Sequence, residues 1–278
     1  MTPQTSQVRQ LFPWVGSKWR MMPRLVPLMP YHVRYVSLFG GSAADVLRKP
    51  RSKEEVYNDL DKDVVNIFSV LQEPTKRKQL SCRLEYTPYS RFQFAQCIDM
   101  VHSNESDQIK RAWAFMVCAI FGFTGKAPSL ATAGGFAVNL QMPSSHRWSH
   151  ISANVAAVAR RFRSILIENR PWEQVLKRHD GPDTFIYADP PYVSSTRVNK
   201  KMYSSEFSDK DHQALLQALN RTEAKVMISG YPHPLYDELL GGWRRHDFEV
   251  RCTISPKRKK PRRTEVVWLN YDQHGRRL

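Results

Sequence analysis

The chain has 278 residues, enough to bury a full core and suited to one large domain with an insertion. Lysine and arginine total 42 against 26 acids, and the resulting net charge of +16 (pI near 9.9) implies a polyanionic partner, nucleic acid first. No apolar run reaches about 18 residues and the N-terminus lacks a signal-peptide core, which disfavours a membrane partner and points to the cytoplasm.

In chain order, the first distinctive segment is Leu11-Phe12-Pro13-Trp14-Val15-Gly16-Ser17-Lys18. Val33 to Phe39 then alternate and are β-rich, a small-residue turn follows at Gly40-Gly41-Ser42-Ala43, and Ala44 to Leu47 start a helix. Strand, glycine turn and helix start form the place where a nucleotide-like ligand meets backbone and a helix N-terminus. The plainer reading is a simple strand-to-helix connection. Glu55-Val56-Tyr57-Asn58-Asp59 reads as a second strand ending in an acid. Asp59 stands about twenty residues past the glycine turn, where a ribose-hydroxyl acceptor is expected. It could equally cap a helix over Val64 to Leu71.

Residues 71–163 differ in character. Tyr89 to His102 and Ile109 to Phe121 have helical patterning, and Gly122 to Gly135 is rich in Gly, Ser and Ala. A mostly helical inserted subdomain is expected, with Arg77, Lys78, Lys126, Arg147, Arg160, Arg161 and Arg163 available for phosphates or guanine edges. Asn139 could bond DNA or cap a turn. From residue 164 onward strand and helix signals resume: Ser164 to Glu168, Lys225 to Gly230, Arg245 to Ile254 and Thr264 to Tyr271 as strands, with a helix over Asp209 to Leu219. Residues 1–70 and 164–278 thus form one α/β domain around the insert. Cys82, Cys97, Cys118, Cys252 and the nine histidines show no metal-ligand spacing, so no metal is expected and the thiols read as reduced.

Thr184 to Tyr192 narrow the chemistry most. Phe185, Ile186 and Tyr187 suit a buried strand, and Pro190 and Pro191 cannot continue a ladder, so the strand ends at Asp189, at the carboxyl edge where open α/β sheets bind ligands. The segment offers a carboxylate, a stiff backbone with a free proline carbonyl, and the flat ring of Tyr192. Asp189 and the Pro190 carbonyl can accept both hydrogens of an exocyclic amine while Tyr192 stacks on its ring. Two such acceptors favour a pyramidal nitrogen whose lone pair faces an electrophile, so no strong base is required. Near the end, Lys257-Arg258-Lys259-Lys260-Pro261-Arg262-Arg263 places six cations in seven residues between the final strands, a hairpin loop suited to backbone phosphates.

Taken in order, Trp14-Val15-Gly16-Ser17-Lys18, Phe39-Gly40-Gly41-Ser42, Val56-Tyr57-Asn58-Asp59-Leu60-Asp61 and Asp189-Pro190-Pro191-Tyr192 resemble the Dam-type adenine-N6 DNA methyltransferases, more closely their phage and prophage relatives. Arg111 to Phe115, Gly135 to Asn139 and Glu206 to His212 echo the same family. The resemblance implies a Rossmann-like sheet of seven strands ending in an antiparallel hairpin, an inserted target-recognition subdomain, and S-adenosylmethionine as cofactor. Carried onto matching positions, Trp14, Gly16, Lys18, Phe39, Gly40, Gly41 and Asp59 would form the cofactor pocket. Asp189, Pro190, Pro191 and Tyr192 would hold a flipped adenine. The chain departs from the family at Ser37 and Leu38, where an acid and a proline are frequent, at Ala43 in place of a later glycine, and at Ser17 after Gly16. Other targets compatible with the same chemistry are cytosine-N4, single strands and RNA adenine. A protein glutamine amide is a more distant target. Outside enzymology, the alternative is a non-catalytic nucleic-acid-binding protein on a decayed methyltransferase fold.

Overall fold

The computed structural model describes residues 8–122, 135–137, 148–193, 207–251 and 262–278. Asn139, Lys257, Arg258, Lys259 and Lys260, expected at DNA, lie outside the described residues, as do Lys126, Arg147 and Cys252.

Each short apolar run stops where its sequence forbids another rung. β1 (Arg34–Ser37) gives way to the glycine turn, β2 (Glu54–Asn58) to Asp59, and β4 (Thr184–Ala188) to the two prolines. All five residues of β4 are buried, as expected of a central parallel strand covered on both faces. With β3 (Leu166–Glu168), β5 (Lys225–Gly230), β6 (Arg244–Arg251) and β7 (Arg262–Leu269) they form one seven-stranded sheet in the order β3-β2-β1-β4-β5-β7-β6. The first five strands are parallel, whereas β7 runs antiparallel to both β5 and β6. This is the mixed α/β, Rossmann-like sheet with a terminal hairpin that the sequence implies.

Alternation along the strands sends Tyr35, Tyr57 and Phe185 to one face, and Val36, Val56 and Ile186 to the other. The first face is covered by α1 (Met22–Leu25), α2 (Ala44–Arg48), α3 (Lys62–Gln72), α4 (Pro74–Glu85), α5 (Arg91–His102), α6 (Gln108–Phe121) and α7 (Ile151–Phe162). The second lies beneath α8 (Trp172–His179), α9 (Asp209–Arg221) and α10 (Pro234–Leu239). Every residue from Ala112 to Phe121 in α6 is buried, because α6 is surrounded by α3, α4 and α5. Phe68 of α3 stacks on Phe162 of α7 at 4.3 Å, and Tyr57 of β2 meets both edge-on. The helices of the insert therefore share a hydrophobic core with the sheet.

Five helices escape the sequence reading: α1, α4, α7, α8 and α10. Arg161, expected at phosphates, instead lies buried in α7 and pairs with Glu55 of β2, which also receives Lys49 at 2.5 Å. Arg77, Arg160 and Arg163 line a separate cavity where α3 and α7 end. There Gln72 donates to the Phe162 and Ile165 carbonyls, just before β3 begins, so these three arginines sit at the amino edge of the sheet. Among the described residues no helix is long and apolar enough to cross a membrane.

Candidate active site

β1 and β4 are neighbours, with Ser37 opposite Tyr187, yet the chain leaves β1 toward β2 and leaves β4 toward β5. The strand order thus reverses between them, and the crevice outside their carboxyl ends is where such sheets take ligands. A cavity of about 330 Å³ opens there. Trp14, Gly16, Lys18, Phe39, Gly40, Gly41, Asp59 and Asp189 all line it, as does Pro191, whereas Pro190 and Tyr192 lie just beyond its wall.

The glycine turn is shaped by close approach. Gly40 donates to the Asn58 carbonyl at 2.7 Å, and Gly41 donates to Asp59 Oδ2 at 2.7 Å. Gly41 has φ +48°, and a Cβ there would fall 2.6 Å from Trp14 Nε1, so only glycine lets the indole lie over the turn. A Cβ at Gly40 would come within 2.1 Å of the buried Tyr57 ring, whose hydroxyl is tied to the Gly41 carbonyl at 2.6 Å. Gly40→Ala should therefore cost about 3 kcal/mol, at the upper end of overpacking, measured by urea unfolding. Wild-type stability in that variant would show that the turn can yield. Ala43 adopts the left-handed conformation at φ 57°, ψ 33°, a position that favours glycine.

Asp59 and Asp61 divide two tasks between them. Asp61 caps α3 by accepting from the amides of Asp63 and Val64, while Asp59 accepts from Gly41 and from the Asp61 amide. Asp59 is therefore turned to the cavity and is not the helix cap. Burial pushes its carboxyl up to about 6, above its ordinary range.

Lys18 joins the N-terminal segment to the end of β4. Its ammonium donates to the Gly16 carbonyl at 2.8 Å and pairs with Asp189 at 2.9 Å, with Glu265 of β7 at 3.8 Å. Ser229 of β5 donates to Asp189 Oδ1 at 2.7 Å, so the carboxylate is held from two sides. Tyr192 is buried, and its hydroxyl donates to Glu265 at 2.5 Å. Lys18 sits 4.6 Å from the Tyr192 ring centre, and Tyr231 packs on the ring edge-on at 4.6 Å. Burial, then the charge of Glu265, drive the Tyr192 hydroxyl well above its ordinary range, so it stays a donor.

Glu265, Ser229 and Tyr231 were not singled out in the sequence, nor was the wall made by Arg170, Pro171 and Trp172 between β3 and α8. The last had a signal: Asn169-Arg170-Pro171-Trp172 is a strand end followed by a proline helix start. Asn58 and Asp59 hold this turn by accepting from the Arg170 amide at 3.0 Å and the Asn169 amide at 2.8 Å. Six carboxylates and two cations line the cavity, making an acidic pocket in a strongly basic protein, suited to a ligand carrying positive charge. Of the basic hairpin, Arg262 is exposed and pairs with Glu249 at 2.8 Å, while Arg263 lies over Tyr231 at 5.4 Å. No three His, Cys, Asp or Glu among the described residues are grouped to hold a metal ion.

No curated protein matches the chain. Residues 14–254, however, match the model of the D12 class N6 adenine-specific DNA methyltransferases, a span that begins at the tryptophan over the glycine turn and takes in the whole cavity. With that match over most of its length, and with an Asp-Pro-Pro-Tyr strand end beside a glycine turn at the switch point of a Rossmann-like sheet, the chain belongs to the D12 class N6 adenine-specific DNA methyltransferase family.

Proposed function

We propose that the protein methylates the N6 amino group of an adenine extruded from duplex DNA, with S-adenosylmethionine as methyl donor. The observation that carries this reading is the position of Asp189. Its carboxylate stands on the rim of the acidic cavity, oriented by Lys18 and Ser229, one strand away from the glycine turn. The cavity residues fit the cofactor: the Gly41 cradle leaves room for Trp14 over the turn, Asp59 keeps free lone pairs for ribose hydroxyls, and the surplus of carboxylates suits a cation. When bound, S-adenosylmethionine supplies an electrophilic methyl group.

The chain's own groups then have distinct tasks. Asp189 and the Pro190 carbonyl accept hydrogen bonds from the two amino hydrogens, aim the nitrogen lone pair at the methyl carbon, and stabilise the positive charge on the nitrogen until one amino proton is released. Positioning carries much of the rate, because the displacement is direct and in line. Pro191 stiffens the segment, and Tyr192 offers its ring to the base. Lys18 and Tyr231 contact that ring, so an incoming adenine must shift one of them. Arg263, stacked on Tyr231, brings the basic hairpin beside the same place, where Lys257, Arg258, Lys259, Lys260 and Arg262 would meet backbone phosphates. The helical region 71–163, with Asn139, would read the flanking bases.

Incubating the protein with S-adenosylmethionine and duplex DNA of mixed sequence, followed by sequencing that detects modified bases, should reveal N6-methyladenine and its context together. Methylation confined to cytosine N4, or to single strands or RNA, would overturn the substrate assignment; no methyl transfer at all would overturn the activity.

A further inference from the structure

Asp45, in the first turn of α2, is a buried acid that lines the cavity but has no part in the reaction above. Its Oδ2 accepts from the Tyr35 hydroxyl at 2.7 Å, a neutral donor. Lys49, one turn further along the chain, is taken by Glu55 at 2.5 Å, and no described cation forms an ion pair with Asp45. Nearby on β1, Ser37 projects from the same face as Tyr35, and its buried hydroxyl lies beside the Asp45 carboxyl as a second neutral group. A buried carboxylate met only by neutral donors is costly unless a cation meets it, and burial pushes the Asp45 carboxyl above its ordinary range despite the hydrogen bonds from Ser37, Tyr35 and the backbone amides of α2 that lower it.

The other acids of the cavity already have tasks. Asp59 takes two backbone amides, Asp61 caps α3, Asp211 closes the capping box of α9, and Asp189 is held by Lys18 and Ser229. Glu173 is exposed on α8. Asp45 is thus a buried carboxylate on the described wall with neutral donors only and no other task assigned to it, and a ligand cation can complete it.

We propose that Asp45 forms the subsite for the α-ammonium group of the cofactor's methionine portion. This rests on the cofactor reading above, and the test separates the two. Calorimetry would compare S-adenosylhomocysteine, which keeps the amino-acid portion, with 5′-methylthioadenosine, which lacks it, on the wild type and on Asp45→Asn. The substitution should weaken S-adenosylhomocysteine by roughly ten- to a hundredfold, as for loss of a hydrogen bond to a charged group, and leave 5′-methylthioadenosine within about twofold. Unchanged 5′-methylthioadenosine binding also shows that the variant is folded. Asp45→Ser, which keeps an acceptor for Tyr35 without the charge, takes the place of the asparagine variant if that one does not fold, and the same selective loss is expected. Equal weakening of both ligands would reduce Asp45 to a structural group and overturn the proposal, as would no weakening of either. A wild type that binds the analogue of S-adenosylhomocysteine lacking only the amino group as tightly as S-adenosylhomocysteine itself would also overturn it. Failure of the wild type to bind any of these adenosyl ligands would overturn the cofactor reading, and the subsite with it.

Discussion

Replacing Asp189 with alanine should abolish methyl transfer, lowering kcat by roughly a thousandfold or more while DNA binding stays within a few-fold. The carboxylate stands at the end of β4 with Ser229 donating to one oxygen and Lys18 paired alongside, so its direction is set before any target arrives. Such a preset acceptor stabilises positive charge growing on the amine without reorganising during the step. Alanine removes it and takes from the Lys18 ammonium, 4% exposed, its nearest carboxylate, with Glu265 the next at 3.8 Å. Lys18 would then swing toward Glu265 and disturb the Tyr192 hydroxyl, which shares that carboxylate. Asp189→Asn keeps the size and one acceptor oxygen but not the charge, so it should retain more activity than alanine. The phosphate contacts proposed above lie elsewhere, on the basic hairpin, so duplex affinity measured by anisotropy should survive. Single-turnover methylation provides the decisive readout: turnover within tenfold of wild type in a folded Asp189→Ala protein would remove Asp189 from the chemistry.

The strand ends and the pocket were largely legible in the sequence because each is fixed by local covalent constraints. Two prolines stop β4, two glycines turn the chain after β1, and β5 spans Lys225 to Gly230 as its apolar run predicts. The hidden elements lacked a local signal. In α4 only Leu80 and Leu84 are buried among charged and polar residues, so its apolar stripe is too thin to stand out, and α7 relies on small alanines. Whether Asp59 caps α3 or faces a ligand was open until packing turned it toward Gly41 and left the cap to Asp61. Arg161 looks like any surface arginine until β2 places Glu55 beneath it. Glu265 reaches Tyr192 across 73 residues of chain, and Tyr231 comes from the end of β5, so their place at the site depends on sheet order, which no run of residues encodes.

Glu55→Ala should destabilise the fold by about 3–5 kcal/mol, the range for breaking a buried ion pair and leaving its partners uncompensated. Here one side chain, 3% exposed, serves two cations: Lys49 at 2.5 Å and Arg161 at 2.5 and 2.7 Å, both nearly buried themselves. Burial alone would raise the Glu55 carboxyl, but the hydrogen bonds and charges of Arg161 and Lys49 outweigh it and hold it at about 2. Because the folded value lies below the unfolded one, near 4.5, the contribution is fully present above pH 4.5 and is lost as pH falls from there toward 2. Urea unfolding at a series of pH values should therefore show a lower midpoint for Glu55→Ala at neutral pH and a flatter acid limb between those two values. An unchanged midpoint with an unchanged acid limb would mean that the triad contributes nothing net. The effect should also reach the site, since β2 carries this triad near its start and Asn58 and Asp59 at its carboxyl end. Loosening the strand should weaken adenosyl-ligand binding before the protein unfolds, whereas a purely global effect would leave affinity intact up to the unfolding transition.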